Sequence, residues 1–351
     1  MQHLFSRRLT PCCEACLTAV GDLGGHLRRI LSNGQRSLAS FPAVASHCFL
    51  RDPSLCTGLP ELPCHVDGCS AVFCSERCRE RELTRGAHRL LCVELAGQPK
   101  SRRSWAAFQA HARMHHENFI LAARAYAVVI CRVRFCGATA REELDAFLAL
   151  EHVEWPYLQE ASHRGVERRR TDSAARWRVL RESLCLLEDT LRPFCGDASL
   201  GLEALFEESC YANLLGTFDL VNVSVEYSHP LEERLRTALS DPLDELHGFL
   251  SLAVDLGVFR EVRRVVRCRT EIGEDACELD ESDEEDEILP PLLGIGLARA
   301  VALMNHSCVP NCEVDYEGSG RAVVTALRAV AAGEELLISY VDETAPLAER
   351  S

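Results

Sequence analysis

The spacing of apolar side chains differs between two parts of the first two thirds of the chain. Residues 12–92 contain few long periodic stretches and are rich in cysteine, glycine and proline, which is typical of a small metal-stapled unit. From Arg103 to Phe135 the apolar residues recur at helical spacing, which predicts one or two helices. The same spacing predicts helices at 141–151 and 173–193, and another that begins near Leu202 and runs through Leu214.

The pattern changes again toward the C-terminus. Asp241-Pro242 predicts an N-cap followed by proline at the first helical position, opening a helix that runs to about Leu256. Residues 321–330 and 336–341 are β-branched and apolar, which predicts two short strands joined by a turn. We therefore predict an α+β protein with three parts: a metal-stapled unit at 12–92, a mainly helical block at 98–257 and a short β-rich segment at 291–351.

Cysteine is the residue type that most needs an explanation. The chain has 19 cysteines, and ten of them fall in the first 92 residues. We find neither a secretory signal nor an apolar run long enough to span a membrane, so we expect a soluble intracellular protein. Intracellular thiols stay reduced, and a dense cysteine cluster there indicates metal binding rather than disulfides.

The charge of the chain limits its partners. A net charge of −15 argues against a general nucleic-acid-binding protein, which would present a basic surface. Eight of the ten residues in Glu278–Glu287 are acidic, and we expect a solvated loop at 270–290. The same run could attract a basic partner such as a histone tail, and the two interpretations are compatible.

Four close pairs of candidate metal ligands follow one another in the N-terminal part. The eight residues are Cys13 and Cys16, Cys64 and Cys69, Cys74 and Cys78, and His88 and Cys92. Thiolate and imidazole donors in this number are enough for two tetrahedral zinc ions, whereas a single pair would be weak evidence. Chance clustering of buried cysteines is the alternative. The residues that could compete as ligands are Cys12, Cys48, Cys56 and His65.

The ligand order resembles that of the MYND zinc finger, and Val72–Cys78 (VFCSERC) is similar to the surroundings of its third pair. The resemblance implies cross-braced pairing. Its two ligand sets would be Cys13, Cys16, Cys74 and Cys78, and Cys64, Cys69, His88 and Cys92. Residues 17–63 would then be a long insertion, which loop-closure entropy tolerates. Such fingers often bind proline-rich peptides.

Two segments near the C-terminus extend the resemblance. Met304–Cys312 (MNHSCVPNC) and Ala332–Asp342 (AGEELLISYVD) look like the signature segments of SET-domain lysine methyltransferases. Together with the zinc finger they resemble the SET-and-MYND (SMYD) family, in which the finger interrupts the SET domain. The resemblance implies that the two segments thread past each other in a knot-like arrangement that forms the active site.

The resemblance also implies roles for individual residues. Tyr340 would be the catalytic phenol and would also contact S-adenosylmethionine, and Asn305 and His306 would hold that cofactor. Phe218 resembles the aromatic residue that walls the lysine channel, and Cys308 resembles a ligand of a third zinc ion. Taken singly, Tyr340 could be a packing residue and His306 could cap a turn.

Two pieces of the family pattern are not found in this sequence. Residues 1–11 resemble only a remnant of the first SET segment and lack its Gly-x-Gly cofactor loop. No cysteine-rich post-SET segment follows Tyr340, so Cys308 lacks its implied partners, and Cys312 alone cannot complete a site. We therefore expect a longer intact gene product and poor cofactor binding by the chain as written.

Two hypotheses follow for function. The first is an S-adenosylmethionine-dependent protein-lysine N-methyltransferase acting on histone or non-histone lysines in the nucleus or cytoplasm. The second is a zinc-dependent interaction module with a degenerate or incomplete SET domain. Neither hypothesis involves direct nucleic-acid binding or a membrane.

Overall fold

The computed structural model combines helices with small sheets, as the predicted fold class requires. The residues that it describes are 2–4, 9–150, 153–158, 173–262, 288–316 and 318–341. The acidic run at Glu278–Glu287 lies outside these residues.

Regular elements are spread along the whole described chain. The strands are β1 (Gln2–Leu4), β2 (Leu62–Pro63), β3 (Val72–Phe73), β4 (Val223–Tyr227), β5 (Leu292–Gly296), β6 (Asn305–His306), β7 (Cys312–Tyr316), β8 (Ala322–Ala326) and β9 (Leu337–Ile338). The helices are α1 (Leu23–Asn33), α2 (Pro42–Ala45), α3 (Glu76–Thr84), α4 (Pro99–His115), α5 (Asn118–Cys136), α6 (Ala140–Leu148), α7 (Ser173–Leu191), α8 (Glu208–Val221), α9 (Glu232–Ser240), α10 (His247–Asp255) and α11 (Arg299–Ala302).

The first residues of the chain share a sheet with its C-terminal part. β5 lies between β1 and β4 and is antiparallel to both. Gly296 is opposite Gln2 on one side and opposite Val223 on the other. The chain therefore returns to its N-terminus after the helical block. The assignment of residues 1–11 to a SET segment stays a prediction.

Among the described residues, α4–α8 hold the largest apolar core, and the periodicity predicts their helical character. α5 is buried on most of its circumference, and Phe119, Tyr126 and Ile130 are almost fully enclosed. A helix that is apolar nearly all round belongs inside a protein, and α5 accordingly contacts α4, α6, α7 and α8. The helix predicted from Leu202 is interrupted, because a short 3₁₀ turn ends at Phe206 and α8 begins only at Glu208.

The segment at 17–63 is more ordered than its composition indicates. It contains α1, whose N-terminus is capped by the Asp22 side chain. Leu23, Leu27 and Ile30 are fully buried on one face of this helix. They belong to a second core that includes residues of α9 and α10. The long insertion is therefore a folded layer over the end of the helical block.

Two elements differ from the predicted ones. The helix predicted from Pro242 begins only at His247, because the Asp241 and Asp244 side chains accept hydrogen bonds from the backbone of Leu243 and Leu246 and form turns. The two predicted C-terminal strands exist as β8 and β9, but they do not pair with each other. β8 pairs with β7 in an antiparallel hairpin, and β9 pairs with β6 in parallel.

Candidate metal centres and active site

The first group of candidate ligands joins the N-terminal turn to α3. The ligand atoms of Cys13, Cys16, Cys74 and Cys78 all lie within 4.8 Å of one another. A tight turn positions the first two, since the Cys13 backbone N–H donates to Thr18 and Cys13 also bridges to Val72 in β3. Cys78 lies in the first turn of α3, where its N–H donates to the N-cap residue Ser75.

The spacing of these sulfur atoms suits zinc. Cys16 Sγ lies 3.5 Å from Cys74 Sγ, which lies 3.6 Å from Cys78 Sγ. A tetrahedral site with Zn–S bonds of about 2.3 Å has S···S edges of about 3.8 Å. The hydrogen bond with Cys16 raises the pKa of Cys13 to about 12, and its counterpart lowers the pKa of Cys16. The crowded thiols therefore share protons that a divalent cation would displace.

The second group lies between the β2–β3 hairpin and the segment after α3. The ligand atoms of Cys64, Cys69, His88 and Cys92 also lie within 4.8 Å of one another. His88 Nε2 is 3.3 Å from Cys64 Sγ and 3.8 Å from Cys69 Sγ. The hydrogen bond from Cys92 lowers the pKa of Cys69 to about 3, which makes Cys69 the preferred thiolate of the group.

These two groups have the composition that the resemblance to the MYND finger implies. The competing residues take other positions: Cys12 donates to Thr10, Cys56 donates to Gly21, and Cys48 and His65 are exposed. Within the described part of the chain, no third group of three or more candidate ligands meets the same distance condition. Zinc binding itself stays a prediction.

The turn that carries Cys13 and Cys16 is tied to the rest of the molecule. Arg124, on the buried helix α5, forms an ion pair with Glu14 at 2.5 Å. Tyr227 in β4 donates to the carbonyl of Leu17 at 2.5 Å. Gly320, in the β7–β8 turn, donates its backbone N–H to the carbonyl of Cys16 at 2.9 Å. The first candidate metal centre therefore contacts the helical block and two sheets.

The parallel pair β6–β9 brings the two C-terminal signature segments together. Asn305 lies opposite Leu337, and His306 lies opposite Ile338. The backbone N–H of Tyr340 donates to His306 Nδ1 at 3.0 Å, so the ring proton of His306 lies on Nε2. The hydroxyl of Tyr340 donates to the carbonyl of Met304 at 2.5 Å. Asn305, His306 and Tyr340 thus occupy one exposed surface.

Asn311 holds these segments in register, and the sequence analysis gave it no role. Its side chain is only 1% exposed. The amide donates to the carbonyl of Glu335 at 2.8 Å and accepts from the backbone N–H of Leu337 at 2.8 Å. Its backbone also bonds Leu327 and Leu337. The quoted motif contained this residue, but its partners, about two dozen positions further along the chain, were not apparent.

Two glutamates extend the same network. Asn305 donates to the Glu335 carboxylate at 2.5 Å. The Glu334 carboxylate accepts from Arg328 at 2.5 Å and from Asn311 at 3.2 Å, and it caps the backbone N–H of Ala331 at 2.9 Å. The Arg328 guanidinium is the main reason that the pKa of Glu334 falls to about 2. The turn before β9 is therefore fixed by the Arg328–Glu334 ion pair as well as by the hydrogen bond from the Ala331 backbone.

The other predicted site residues, Phe218 and Cys308, lie away from the surface formed by Asn305, His306 and Tyr340 or make fewer contacts there. Phe218 is fully buried on α8 with its ring 6.4 Å from that of Phe147, and among the described residues no ring contact joins it to Tyr340. Cys308 is exposed, with its sulfur 3.3 Å from His306 Nε2. Cys312 is buried in β7. The channel and third-zinc roles stay predictions.

Comparison with known proteins shows which family the helical and C-terminal parts of the chain match. The SET domain family model matches residues 141–341, more than half of the chain. Histone-lysine N-methyltransferase ATXR2 of Arabidopsis thaliana is 27% identical over 314 residues, which are 81% of this chain and 58% of the relative. Human N-lysine methyltransferase SMYD2 is 45% identical over 67 residues, 19% of this chain and 15% of the relative. Mouse histone-lysine N-methyltransferase SMYD3 is 44% identical over 50 residues, 14% of this chain and 11% of the relative.

The chain thus spans little more than half the length of one curated relative and matches short parts of the others. No helix among the described residues has the length and apolar composition needed to cross a membrane. These relatives confirm the predicted resemblance to SET-and-MYND methyltransferases. Since the family model covers most of the helical and C-terminal residues, the chain belongs to the SET domain family.

Proposed function

We propose that this protein is an S-adenosylmethionine-dependent protein-lysine N-methyltransferase. The observation that carries the proposal is the parallel pairing of β6 with β9. It places Asn305, His306 and Tyr340 side by side although they come from separate segments. Lysine methyltransferases among its relatives support the same reaction class.

The chemistry of lysine methylation explains a role for Tyr340. A lysine ammonium must lose a proton before its nitrogen can attack, which costs about 4–5 kcal/mol at pH 7. The Tyr340 hydroxyl already donates its proton to Met304, so its oxygen lone pairs are free to accept a hydrogen bond from the amine. A fixed acceptor of this kind orients the nitrogen and supplies the proximity gain of a bound geometry.

Asn305 and His306 are assigned to the cofactor. S-adenosylmethionine, when bound, supplies a methyl group activated by a sulfonium centre. The exposed Asn305 and His306 side chains offer amide and imidazole groups that suit the polar ends of such a molecule. His306 also holds the Tyr340 backbone through Nδ1, so it would link cofactor binding to the position of the phenol.

Two structural zinc ions complete the proposal. One would be held by Cys13, Cys16, Cys74 and Cys78, and the other by Cys64, Cys69, His88 and Cys92, in the arrangement of a MYND finger. Three or four thiolates with at most one imidazole form a closed donor set that suits a structural rather than a catalytic ion. Phe218 as a channel wall and Cys308 as a third zinc ligand remain parts of the same proposal.

Methyl transfer with a matched pair of variants tests the proposal. Purified protein would be incubated with S-adenosylmethionine carrying a labelled methyl group and a mixture of histones and cell-extract proteins. We expect label on lysine, and a loss of about a hundredfold or more in Tyr340→Phe. Tyr157→Phe, which alters an exposed tyrosine of the helical block, is the control. Unchanged activity of Tyr340→Phe would remove Tyr340 from this role.

The alternative function is a zinc-dependent interaction module with an incomplete SET domain. The exposure of Tyr340, at 61%, favours it, because a catalytic phenol works in a site that excludes water. Calorimetry separates the two functions. Binding of S-adenosylmethionine below millimolar concentration that weakens in Asn305→Ala supports the enzyme. The absence of S-adenosylmethionine binding in a protein that contains two zinc ions per chain supports the interaction module.

The partners follow from the reaction class. Its substrates would be lysine-containing proteins, with histone tails as one candidate, in the nucleus or cytoplasm. Proline-rich peptides are candidates for the finger surface.

A further inference from the structure

One face of α3 carries a row of arginines that are not used by the candidate active site or as metal ligands. Arg77 and Arg81 lie in α3 and Arg85 is its C-cap residue; they recur every four residues, and all three are exposed. Residues at this spacing lie above one another on one side of a helix. The face borders a surface concavity of about 690 Å³ whose lining also includes Ser75, Cys78, Glu80 and Thr84.

Neighbouring arginines have acidic partners, whereas these three do not. Arg79 pairs with Glu76 at 2.5 Å, and Arg89 pairs with Glu94 at 3.6 Å. Within the described residues, Arg77, Arg81 and Arg85 form no ion pair. Arg81 donates one hydrogen bond to the carbonyl of Ala15, which steadies its side chain without neutralising it. Three adjacent unpaired cations are unusual in a chain with a net charge of −15.

The helix that carries them is held rigidly. Its N-cap Ser75 accepts from Cys78, and Cys78 belongs to the first candidate metal group. The helix thus fixes the positions from which the arginine side chains extend, and arginine suits carboxylates because it can donate two parallel hydrogen bonds.

We propose that this face of α3 docks an extended acidic segment of a partner protein through the carboxylates of alternating Asp or Glu residues. The spacing fits. Four residues of α-helix rise about 6 Å, and two residues of an extended strand span about 6.6 Å. Alternate side chains of an extended peptide therefore meet successive arginines, and Arg77 to Arg85 accommodates about five peptide residues.

A fluorescein-labelled ten-residue peptide of alternating aspartate and serine is the probe, and binding to the zinc-loaded chain is read by fluorescence anisotropy. We expect binding that weakens between 50 and about 300 mM salt, because exposed charges are screened over roughly 10 Å or less. A ten-residue peptide with aspartates at positions 1, 2, 5, 6 and 9 and serines elsewhere has the same charge and should bind more weakly, because no two of its aspartates are two residues apart and successive arginines cannot all meet a carboxylate.

Charge-matched variants locate the site. Arg77→Gln with Arg81→Gln and Arg85→Gln should weaken binding about tenfold or more. Arg77→Gln with Arg85→Gln keeps the Arg81 bond to Ala15 and should still weaken it severalfold. The control changes three other exposed arginines, Arg113, Arg141 and Arg178, to glutamine and should leave binding within about twofold.

Three outcomes would overturn the proposal. The control triple variant could lose as much affinity as the α3 triple variant, which would assign the effect to net charge. The acidic peptide could fail to bind at low salt. A proline-rich peptide could bind more tightly than the acidic one and be unaffected by the α3 variants, which would make this finger a proline-rich peptide binder instead.

Discussion

Asn311 ties the segment before β7 to the turn before β9 from a position that is only 1% exposed. This amide fixes β9 beside β6, the strand that carries Asn305 and His306. Asn311 works through backbone groups of Glu335 and Leu337, and a sequence carries no local signal for partners so distant along the chain. Residue types that carry out chemistry are thus easier to predict than residues that fix the geometry.

Replacing Asn311 by alanine should destabilise the C-terminal segment. The change leaves the Leu337 N–H and the Glu335 carbonyl without their side-chain partner, and the loss of these two part-buried hydrogen bonds should cost about 1–3 kcal/mol in total. Denaturant unfolding would measure the loss. Ser32→Ala is the control, because its hydroxyl donates to the Arg29 carbonyl of α1 at an exposed position and should cost less than about 1 kcal/mol. Equal losses in the two variants would contradict this role.

Gly216 is required by a close approach rather than by a turn. It lies inside α8, and a Cβ at this position would overlap the backbone carbonyl of Val153. Gly216→Ala should therefore lower the free energy of unfolding by several kcal/mol, although alanine is the better helix former by about 1 kcal/mol. Gly248→Ala in α10 meets nothing within 4 Å and should stabilise the protein slightly. Thermal unfolding of both variants would show whether Gly216→Ala lowers the melting temperature and Gly248→Ala raises it.

Elements were predictable where apolar residues recur at helical spacing over several turns. The periodicity that predicts the helical block is the pattern that α4, α5 and α7 bury against each other. α1 was missed because its segment was read by composition, as a cysteine- and glycine-rich insertion, although Leu23, Leu27, Ile30 and Leu31 have helical spacing. The start of α10 was wrong because the Asp241 and Asp244 side chains stabilise turns that compete with helix.

A buried histidine pair joins α1 to the turn before α9 and should make this contact sensitive to acid. His229 Nε2 lies 3.1 Å from His26 Nδ1, and His229 Nδ1 accepts from the Leu231 N–H. Burial lowers the pKa of His26 to about 4, and burial followed by the charge of His26 lowers the pKa of His229. The Val20 backbone and the Asp22 charge favour the protonated form of His26, but burial, assisted by the Arg29 charge, outweighs them.

Both histidines are therefore neutral in the folded protein, while the unfolded chain takes up protons below about pH 6.5. Stability should be complete above pH 6.5 and should fall as the pH drops toward 4, by about 2 kcal/mol from His26 alone between pH 6.5 and 5. Thermal unfolding across this range, with exposed His65→Gln as control, measures the effect. A melting temperature that stays flat from pH 7 to 5 would contradict it.

At the scale of the whole molecule, the sequence predicted the ligand groups and signature segments better than the contacts that join them. Ligand spacing and the two signature segments follow from local chemistry, and the structure brings together the sets of residues that they define. The contacts between parts could not be foreseen, because they depend on single groups such as Arg124, Tyr227 and Gly320 that have no motif. These contacts make the turn that carries Cys13 and Cys16 an integral part of the fold.

Removal of metal should therefore unfold more than the finger. Without zinc, only hydrogen bonds between protonated thiols would hold the first group together, and the turn at Cys13–Leu17 would loosen, withdrawing the partners of Arg124, Tyr227 and Gly320. Arg124 is largely buried, so loss of its Glu14 partner would leave a poorly compensated charge, at a cost of up to several kcal/mol.

We expect a chelator such as EDTA to lower the melting temperature of the helical block by about 10 °C or more, in a single transition. Cys16→Ser should do the same and release one of two zinc ions, as counted by mass spectrometry of the metal. Cys48→Ser changes an exposed cysteine outside both groups and should change neither quantity. If the chelated protein kept the melting temperature of its helices and lost only the finger, the contacts at Glu14, Leu17 and Cys16 would be incidental to the fold.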